Sequence, residues 1–156
     1  MNNFTLLIRN PTPNDTPQLE ELFLFTLKQT FELRPKDQFK IGDYVISVTK
    51  DEVLVAEIAD KIVGFISFQV ASNFIHNLFV HPHFQNKGIG SNLLKMAEAK
   101  IQLPITLKVA LDNAKVGSFY EKYGYKRELI NSEVPKPYIS YKKYVNNKGT
   151  FEEINI

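Results

Sequence analysis

The tightest constraint in this sequence is a pair of glycines opening a helix shortly after a strand. Phe74 to Val80 is a run rich in branched and aromatic side chains, and a polar loop, His81 to Lys87, follows it. From Gly88 to Ile101, the residues Ile89, Leu93, Met96, Ala97 and Ile101 recur on one helical face. The turn between strand and helix reads Gln85-Asn86-Lys87-Gly88-Ile89-Gly90-Ser91. A helix start leaves backbone N–H groups without intrahelical acceptors. Glycines at 88 and 90 take away side chains that would bar a ligand from those donors, the helix dipole favours negative charge, and Lys87 adds a positive one. Such a turn suits a phosphate or pyrophosphate.

Two common phosphate motifs do not fit it. No glycine stands five positions before a Gly-Lys-Ser/Thr triplet, so it is not a P-loop. As a dinucleotide fingerprint, Gly88 and Gly90 would be the first two glycines and Asp112 the ribose-binding acid, but Leu93 holds the third glycine position. Seven residues also separate Val80 from Gly88, where that motif runs from strand almost directly to glycine. The plain alternative is a glycine pair that only begins a helix.

The rest of the chain supplies the frame. Phe4 to Arg9 reads as a first strand, and Pro17 to Phe31 as an amphipathic helix after the breaker cluster Asn10 to Asp15, with Leu19, Leu22, Phe23, Thr26 and Leu27 near helical spacing. Arg34 to Lys50 fits a short helix or a strand, with helix preferred. Val53 to Ile58, Ile62 to Ala71 and Phe74 to Val80 read as an antiparallel meander. Beyond the glycine helix come a strand, Thr106 to Leu111, a helix from about Asn113 to Tyr123 stopped by Gly124, and strands at Tyr125 to Leu129 and Tyr138 to Val145. A helix between the fourth and fifth strands implies a parallel crossover in a mostly antiparallel sheet. The expected class is therefore mixed α/β (α+β), with about six or seven strands and helices on both faces.

The 156 residues suit a single domain, 1–156, with a polar tail at 146–156. A net charge of +2 demands no polyanionic partner, and the absence of cysteine excludes disulfides, thiolate zinc sites and a cysteine nucleophile. No leader pattern opens the chain, and no apolar run approaches the roughly 20 residues needed to span a bilayer. A cytoplasmic, soluble protein without membrane contact is expected. Tyr138, Tyr141, Lys142, Lys143 and Tyr144 interleave aromatics with lysines as nucleic-acid binders do, but an edge strand protected by lysines explains them equally, and no nucleic acid is expected. His76, His81 and His83 lack acidic or cysteine companions, so no metal is expected.

The run Leu78-Phe79-Val80-His81-Pro82-His83-Phe84-Gln85-Asn86-Lys87-Gly88-Ile89-Gly90 resembles motif A of the GNAT acetyltransferases: a fourth strand ending Leu-x-Val, a short Pro-containing loop, then Gln/Arg-x-x-Gly-x-Gly/Ala. Asn113 and Phe119-Tyr120-Glu121-Lys122-Tyr123-Gly124-Tyr125 resemble that family's motif B, with seven steps from Asn to Tyr. Two motifs in order, one strand apart, are far more specific than either alone, and the resemblance runs from about Val53 to Tyr125. Gly117 departs from it by sitting inside the motif B helix, at a cost of up to ~1 kcal/mol against alanine.

The resemblance implies an N-acetyltransferase with acetyl-coenzyme A as co-substrate, held in a slot where strands four and five splay apart. By position, Leu78, Phe79 and Val80 would line the pantetheine arm, with the Val80 N–H polarising the thioester carbonyl, and Gln85, Asn86, Lys87, Gly88, Ile89, Gly90 and Ser91 would surround the pyrophosphate. Tyr120 would be the general acid. An ordinary tyrosine, pKa about 10, is a weaker acid than a thiol at about 8.5, so hydrogen-bond support of the thiolate describes it better than full proton donation. Asn113 would bind the cofactor or cap its helix. His76, two and four residues before Leu78 and Val80, would share their side of the strand and is the candidate base, with water as an alternative relay. The acceptor would be a small amine or a peptide amine, attacking directly in a ternary complex of a monomer or homodimer. Its wall would come from Leu27 to Lys50 and Ile130 to Tyr138, with Phe31, Phe39 and Tyr138 apolar and Glu32 and Glu133 attracting the cation. The rival is a module that binds acetyl-coenzyme A without turning it over.

Overall fold

The computed structural model describes residues 5–146; Phe4, at the expected start of the first strand, and the tail beyond Asn146 lie outside the described residues. Among the described residues seven strands form one sheet: β1 (Leu6–Arg9), β2 (Glu52–Ile58), β3 (Lys61–Gln69), β4 (Phe74–Val80), β5 (Ile105–Ala110), β6 (Lys126–Asn131) and β7 (Tyr138–Lys143). Their order is β1-β2-β3-β4-β5-β7-β6, and every neighbouring pair is antiparallel except β4 and β5. The mixed sheet with one parallel crossover is thus the expected one.

Alternation along the strands sorts side chains to two faces. On one, Val55, Ile62, Phe65 and Phe79 meet Leu19, Leu22 and Phe23 of α1 (Thr16–Thr30) and Tyr44 of α2 (Asp43–Ser47). On the other, Ile66, Phe68, Leu107 and Ile139 pack with Leu93 and Leu94 of α3 (Ile89–Glu98) and Tyr120 of α4 (Gly117–Lys122). Charged side chains bolt the first face together. Asp15 accepts hydrogen bonds from the Arg9 guanidinium at 2.7 and 3.0 Å and from the Thr12 N–H at 2.7 Å, which hold its carboxyl well below the usual carboxylate range. Buried Glu20 of α1 accepts the N–H groups of Gly42, Tyr44 and Val45, satisfying donors at the start of α2. The ambiguous Arg34–Lys50 stretch is therefore helical, as a 3₁₀ turn, Lys36–Gln38, followed by α2.

Three expectations need correction. Of the helical face read from spacing, Ile89, Leu93, Ala97 and Ile101 are buried, but Met96 is 43% exposed and Leu94 is buried in its place. The expected Asn113–Tyr123 helix splits into a 3₁₀ turn, Leu111–Val116, and α4, with Asn113 at non-helical φ −127°. The Tyr138–Lys143 strand is not an edge: β7 lies between β5 and β6, and β6 is outermost. Its alternation comes from packing, with Ile139, Tyr141 and Lys143 all buried. Lys143 donates to Glu98 at 2.9 Å, and Glu98 also accepts the Tyr125 hydroxyl at 2.8 Å, so this lysine joins α3 to the sheet and guards no edge.

Candidate active site

Strands β4 and β5 pair only at Phe74–Thr106 and Ile75–Leu107, and beyond Ile75 they part. On its other edge β4 stays joined to β3, with Phe79 opposite Phe65 and the His81 N–H donating to the Val63 carbonyl at 2.7 Å. Antiparallel bonding alternates, so residues 79 and 81 bond toward β3 while the amides of Leu78 and Val80 face the opened side. The Gln85 side-chain amide corroborates this by donating to the Val80 carbonyl at 2.9 Å. Gly64 permits the close approach of β3, since a Cβ there would lie 2.8 Å from the Phe79 carbonyl oxygen. The slot floor is thus exposed backbone of one strand, available for pairing to an extended chain.

At the end of the slot the backbone turns through Asn86 at φ +62° and Gly88 at φ +82° into α3. The Asn92 N–H and the Ser91 hydroxyl both donate to the Gly88 carbonyl, at 3.1 and 3.0 Å, which fixes the first turn. The two glycines differ. A Cβ on Gly88 would only graze the Asn92 and Ser91 side chains at 3.9 Å, so glycine is needed there for its left-handed backbone. A Cβ on Gly90 would touch Phe119 at 3.6 Å and Val80 at 3.7 Å, in ordinary contact, so Gly90 faces packed side chains as well as the slot.

A cavity of about 530 Å³ over this turn brings together Leu78, Val80, Gln85, Asn86, Gly88, Gly90, Ser91 and Tyr120. An adjoining one of about 710 Å³ shares Leu78, Val80, Gln85, Asn86 and Tyr120 with it and adds Phe79, Asn113 and His76. Lys87 is not on either wall; its ammonium sits 5.8 Å over the Phe84 ring. The Ile89 side chain is core, 3% exposed, leaving only its backbone to the turn. The Phe79 ring packs between Phe23 at 5.1 Å and Phe65 at 5.5 Å. Three cations that spacing did not single out, Lys108, Lys115 and Lys122, line the two cavities instead.

Tyr120 faces both cavities while only 8% exposed, with its ring against Phe119 and Tyr125. Its hydroxyl makes no hydrogen bond to another described residue, and burial pushes its pKa well above that of an ordinary tyrosine. It therefore stays protonated and has a free O–H to donate. Asn113 does not cap α4, because that helix begins at Gly117 with Val116 at its N-cap. Gly117 has a clear reason: a Cβ there would lie 2.0 Å from the Tyr141 hydroxyl oxygen.

His76 departs from expectation. Phe68 lies opposite Ile75 and Ser67 opposite Asn77, so His76 is the extra residue of a β-bulge. Alternation breaks there: Ile75, Leu78 and Val80 belong to the α3 side of the sheet, whereas His76 reaches cavities walled by α1 and α2. Its Nδ1 lies 2.7 Å from an Asp51 carboxylate oxygen. Next to it, the Asn77 side chain donates to the hydroxyls of Ser47 at 3.0 Å and Ser67 at 2.8 Å, tying β4 to α2. Neither Asp51 nor Asn77 stands out in the sequence. His81, whose Nδ1 accepts the His83 N–H at 3.1 Å, has its pKa lowered by burial and then by His83. Among the described residues no three His, Cys, Asp or Glu side chains are grouped to hold a metal ion, and no helix is long and apolar enough to cross a membrane.

A third cavity, about 1070 Å³, begins at His76 and has Leu27, Phe39 and Ile46 on one side and Pro135 and Pro137 of the β6–β7 connection on the other. The Arg34 guanidinium makes a two-pronged pair with the Asp112 carboxylate across it, 2.6 Å at each contact. Both expected wall segments are there. Phe31 lines the adjoining cavity and lies 6.3 Å from Phe39, but Tyr138 lies under the Lys108 ammonium, and Glu32 and Glu133 stand off the wall, where Asp43 and Asp112 are the acids.

Residues 49–127 match the family model described as acetyltransferase (GNAT) domain. The chain is 31% identical over 133 residues to the uncharacterized N-acetyltransferase YafP of Escherichia coli, covering 80% of this chain and 83% of the relative. Among solved structures it is similar to a GCN5-related N-acetyltransferase of Rhodopseudomonas palustris, at a TM-score of 0.72 and 19% identity, over 90% of this chain and 96% of that one. It is also similar to the PaiA N-acetyltransferase of Thermoplasma acidophilum in complex with coenzyme A, at a TM-score of 0.69 and 24% identity, over 90% and 99%.

Proposed function

Because the chain belongs to the GNAT acetyltransferase family and is an acetyl-coenzyme A-dependent acetyltransferase, we propose that it acetylates a primary amine by direct attack while donor and acceptor are bound together. The amine belongs to a small molecule or to a peptide or protein N-terminus. The observation that carries this reading is the continuity of the cavities. The slot over the glycine turn and the cavity beside it share Tyr120 and the open backbone of Leu78 and Val80, and the second meets the third at His76. Donor and acceptor thus have a common meeting point, and a chain without cysteine has no thiol to carry the acetyl group between them.

Acetyl-coenzyme A supplies the thioester. The backbone of Leu78 and Val80 pairs with its pantetheine arm, and the N–H groups from Asn86 to Ser91 hold its phosphates, with Lys115 and Lys122 adding charge at the rims. The Val80 N–H polarises the carbonyl. The Tyr120 hydroxyl donates a hydrogen bond to the sulfur as the C–S bond lengthens, and Asn113 touches the coenzyme from across the slot. His76, directly or through one water, takes the proton of the incoming ammonium. The whole chain, 1–156, acts as one cytoplasmic domain, as a monomer or homodimer.

Tyr120→Phe is the test, with release of free thiol measured over a panel of amino acids, polyamines, aminoglycosides and peptide N-termini. The expected result is a fall in kcat of roughly 100-fold with little change in acetyl-coenzyme A affinity. Unchanged turnover removes Tyr120 from the chemistry, and no thiol release with any amine, despite tight acetyl-coenzyme A binding, favours a sensing module.

A further inference from the structure

Asp51 precedes β2, and its side chain is only 1% exposed. A buried carboxylate needs partners, and Asp51 has two: the Gln69 side-chain amide donates to Oδ1 at 3.0 Å, and His76 Nδ1 lies 2.7 Å from Oδ2. Gln69 and Phe74 face each other across β3 and β4, so these contacts pin the carboxylate to the base of the bulge that carries His76. The other charged groups around the third cavity are Asp43, Asp112, Arg34 and Lys136. Arg34 and Asp112 satisfy each other, and none of the four bonds to the imidazole.

We propose that Asp51 is a positioning residue that fixes the tautomer of His76. A carboxylate only accepts hydrogen bonds, so in the neutral imidazole the ring proton must lie on Nδ1. That leaves the Nε2 lone pair as the free base at the cavity wall. This inference rests on the reading of His76 as the base. An ammonium acceptor loses two protons in becoming an amide. His76 Nε2 takes the first, the released lone pair forms the C–N bond as the C–S bond breaks, one proton ends on the coenzyme sulfur and the other leaves to solvent. Asp51 gains no proton; it stabilises the imidazolium while the ring holds the charge, as the carboxylate of a serine-protease triad does.

The same structure supplies an internal contrast. Nδ1 of His81 accepts the His83 backbone N–H, so the His81 proton lies on Nε2. Two histidines in one chain are therefore set to opposite tautomers by their partners.

Asp51→Asn is the sharpest variant. Asparagine keeps the volume and an oxygen for Gln69, but turns an N–H₂ toward Nδ1, which must then accept, moving the ring proton to Nε2. ¹⁵N NMR of the histidine rings, recorded well above the ordinary imidazole range of about 6.5, reads this directly, with the His76 signals assigned by their loss in His76→Gln. The expected results are an Nδ1–H tautomer for His76 in the wild type, opposite to His81, and an Nε2–H tautomer in Asp51→Asn. The kcat of the variant should fall roughly 100-fold, its KM for acetyl-coenzyme A should stay unchanged, and adding Asp51→Asn to His76→Gln should cost nothing more. A wild-type His76 with its proton on Nε2 overturns the assignment to Asp51, whatever the activities, and needs no variant to fold. A tautomer that switches with kcat unchanged leaves the contact intact but overturns His76 as the base, and with it any catalytic part for Asp51.

Discussion

The proposed donor half and the proposed acceptor half of this site are built from different materials. Around the proposed coenzyme slot the groups open to a ligand are mainly backbone: the amides of Leu78 and Val80, the left-handed turn at Asn86 and Gly88, and the start of α3. Their supports are local, as where Gln85 holds the carbonyl of Val80, five residues away. Around the third cavity the supports are side-chain pairs between distant segments. Asp51 reaches His76 and Arg34 reaches Asp112, at separations of 25 and 78 residues. A backbone device tolerates little substitution where glycine is required, whereas a side-chain pair can be exchanged with its partner. The donor half should therefore be fixed and the acceptor half adaptable, which suits one coenzyme and a variable amine.

The largest effect on stability is expected where the donor half leans on packing. Gly117 opens α4 and touches the buried Tyr141 ring, so a Cβ at 2.0 Å from its hydroxyl oxygen and 2.8 Å from Cζ forces the ring or the helix to move. Gly117→Ala should cost about 2 kcal/mol, in the range of overpacked cores, and lower Tm by roughly 4–8 °C. Tyr141→Phe removes the closer clash and should restore part of the loss. A Tm for Gly117→Ala within a degree of wild type would show that α4 is held less tightly than its contacts indicate.

A smaller effect separates the two glycines of the turn. Gly88→Ala meets no steric obstacle but must hold φ near +82°, which costs about 1–2 kcal/mol. Relaxing that strain tilts the first N–H groups of α3 away from the phosphates, so acetyl-coenzyme A affinity should fall more than stability does. Gly90→Ala should be close to neutral, because its Cβ lands in ordinary contact with Phe119 and Val80. Equal losses from the two alanines, measured by titration calorimetry, would mean that backbone shape is not what singles out Gly88.

The same division explains what could be read from the sequence. Glycine placement and hydrophobic period are local signals, so the meander, the crossover, α3 and the turn were legible, whereas Tyr120 and the two segments around the third cavity were singled out only by family resemblance. The bulge at His76 was not, since one inserted residue leaves the strand pattern intact while reversing the face. Nor was Asp51, which in sequence is one acid among seventeen acidic residues and gains meaning only when β3 and β4 bring His76 beside it. The misread edge strand has a similar origin. Where β7 is inserted depends on contacts with β5 and β6 together, and lysine at an edge looks no different in sequence from Lys143, which is buried against Glu98.

The smallest effect on stability is expected at Arg34 and Asp112, where it should be easiest to tell a wall from a foundation. The hydrogen bonds from Arg34, ahead of its Coulomb attraction, lower the Asp112 pKa below the ordinary aspartate value of about 3.9. The pair's stabilisation is thus fully present above that value and fades as pH falls through the lower folded-state pKa. Asp112 is 49% and Arg34 33% exposed in their side chains, so solvent screening leaves less than about 1 kcal/mol. Arg34→Ala should accordingly shift Tm by no more than a few degrees, and by less in high salt. Yet the pair spans the third cavity between the α1–α2 connection and the segment after β5, so the same variant should raise KM for the amine several-fold while KM for acetyl-coenzyme A stays put. If the two KM values rise together, Arg34 supports the whole site, and the separation of a fixed donor half from an adaptable acceptor half fails at the contact where it is most exposed to test.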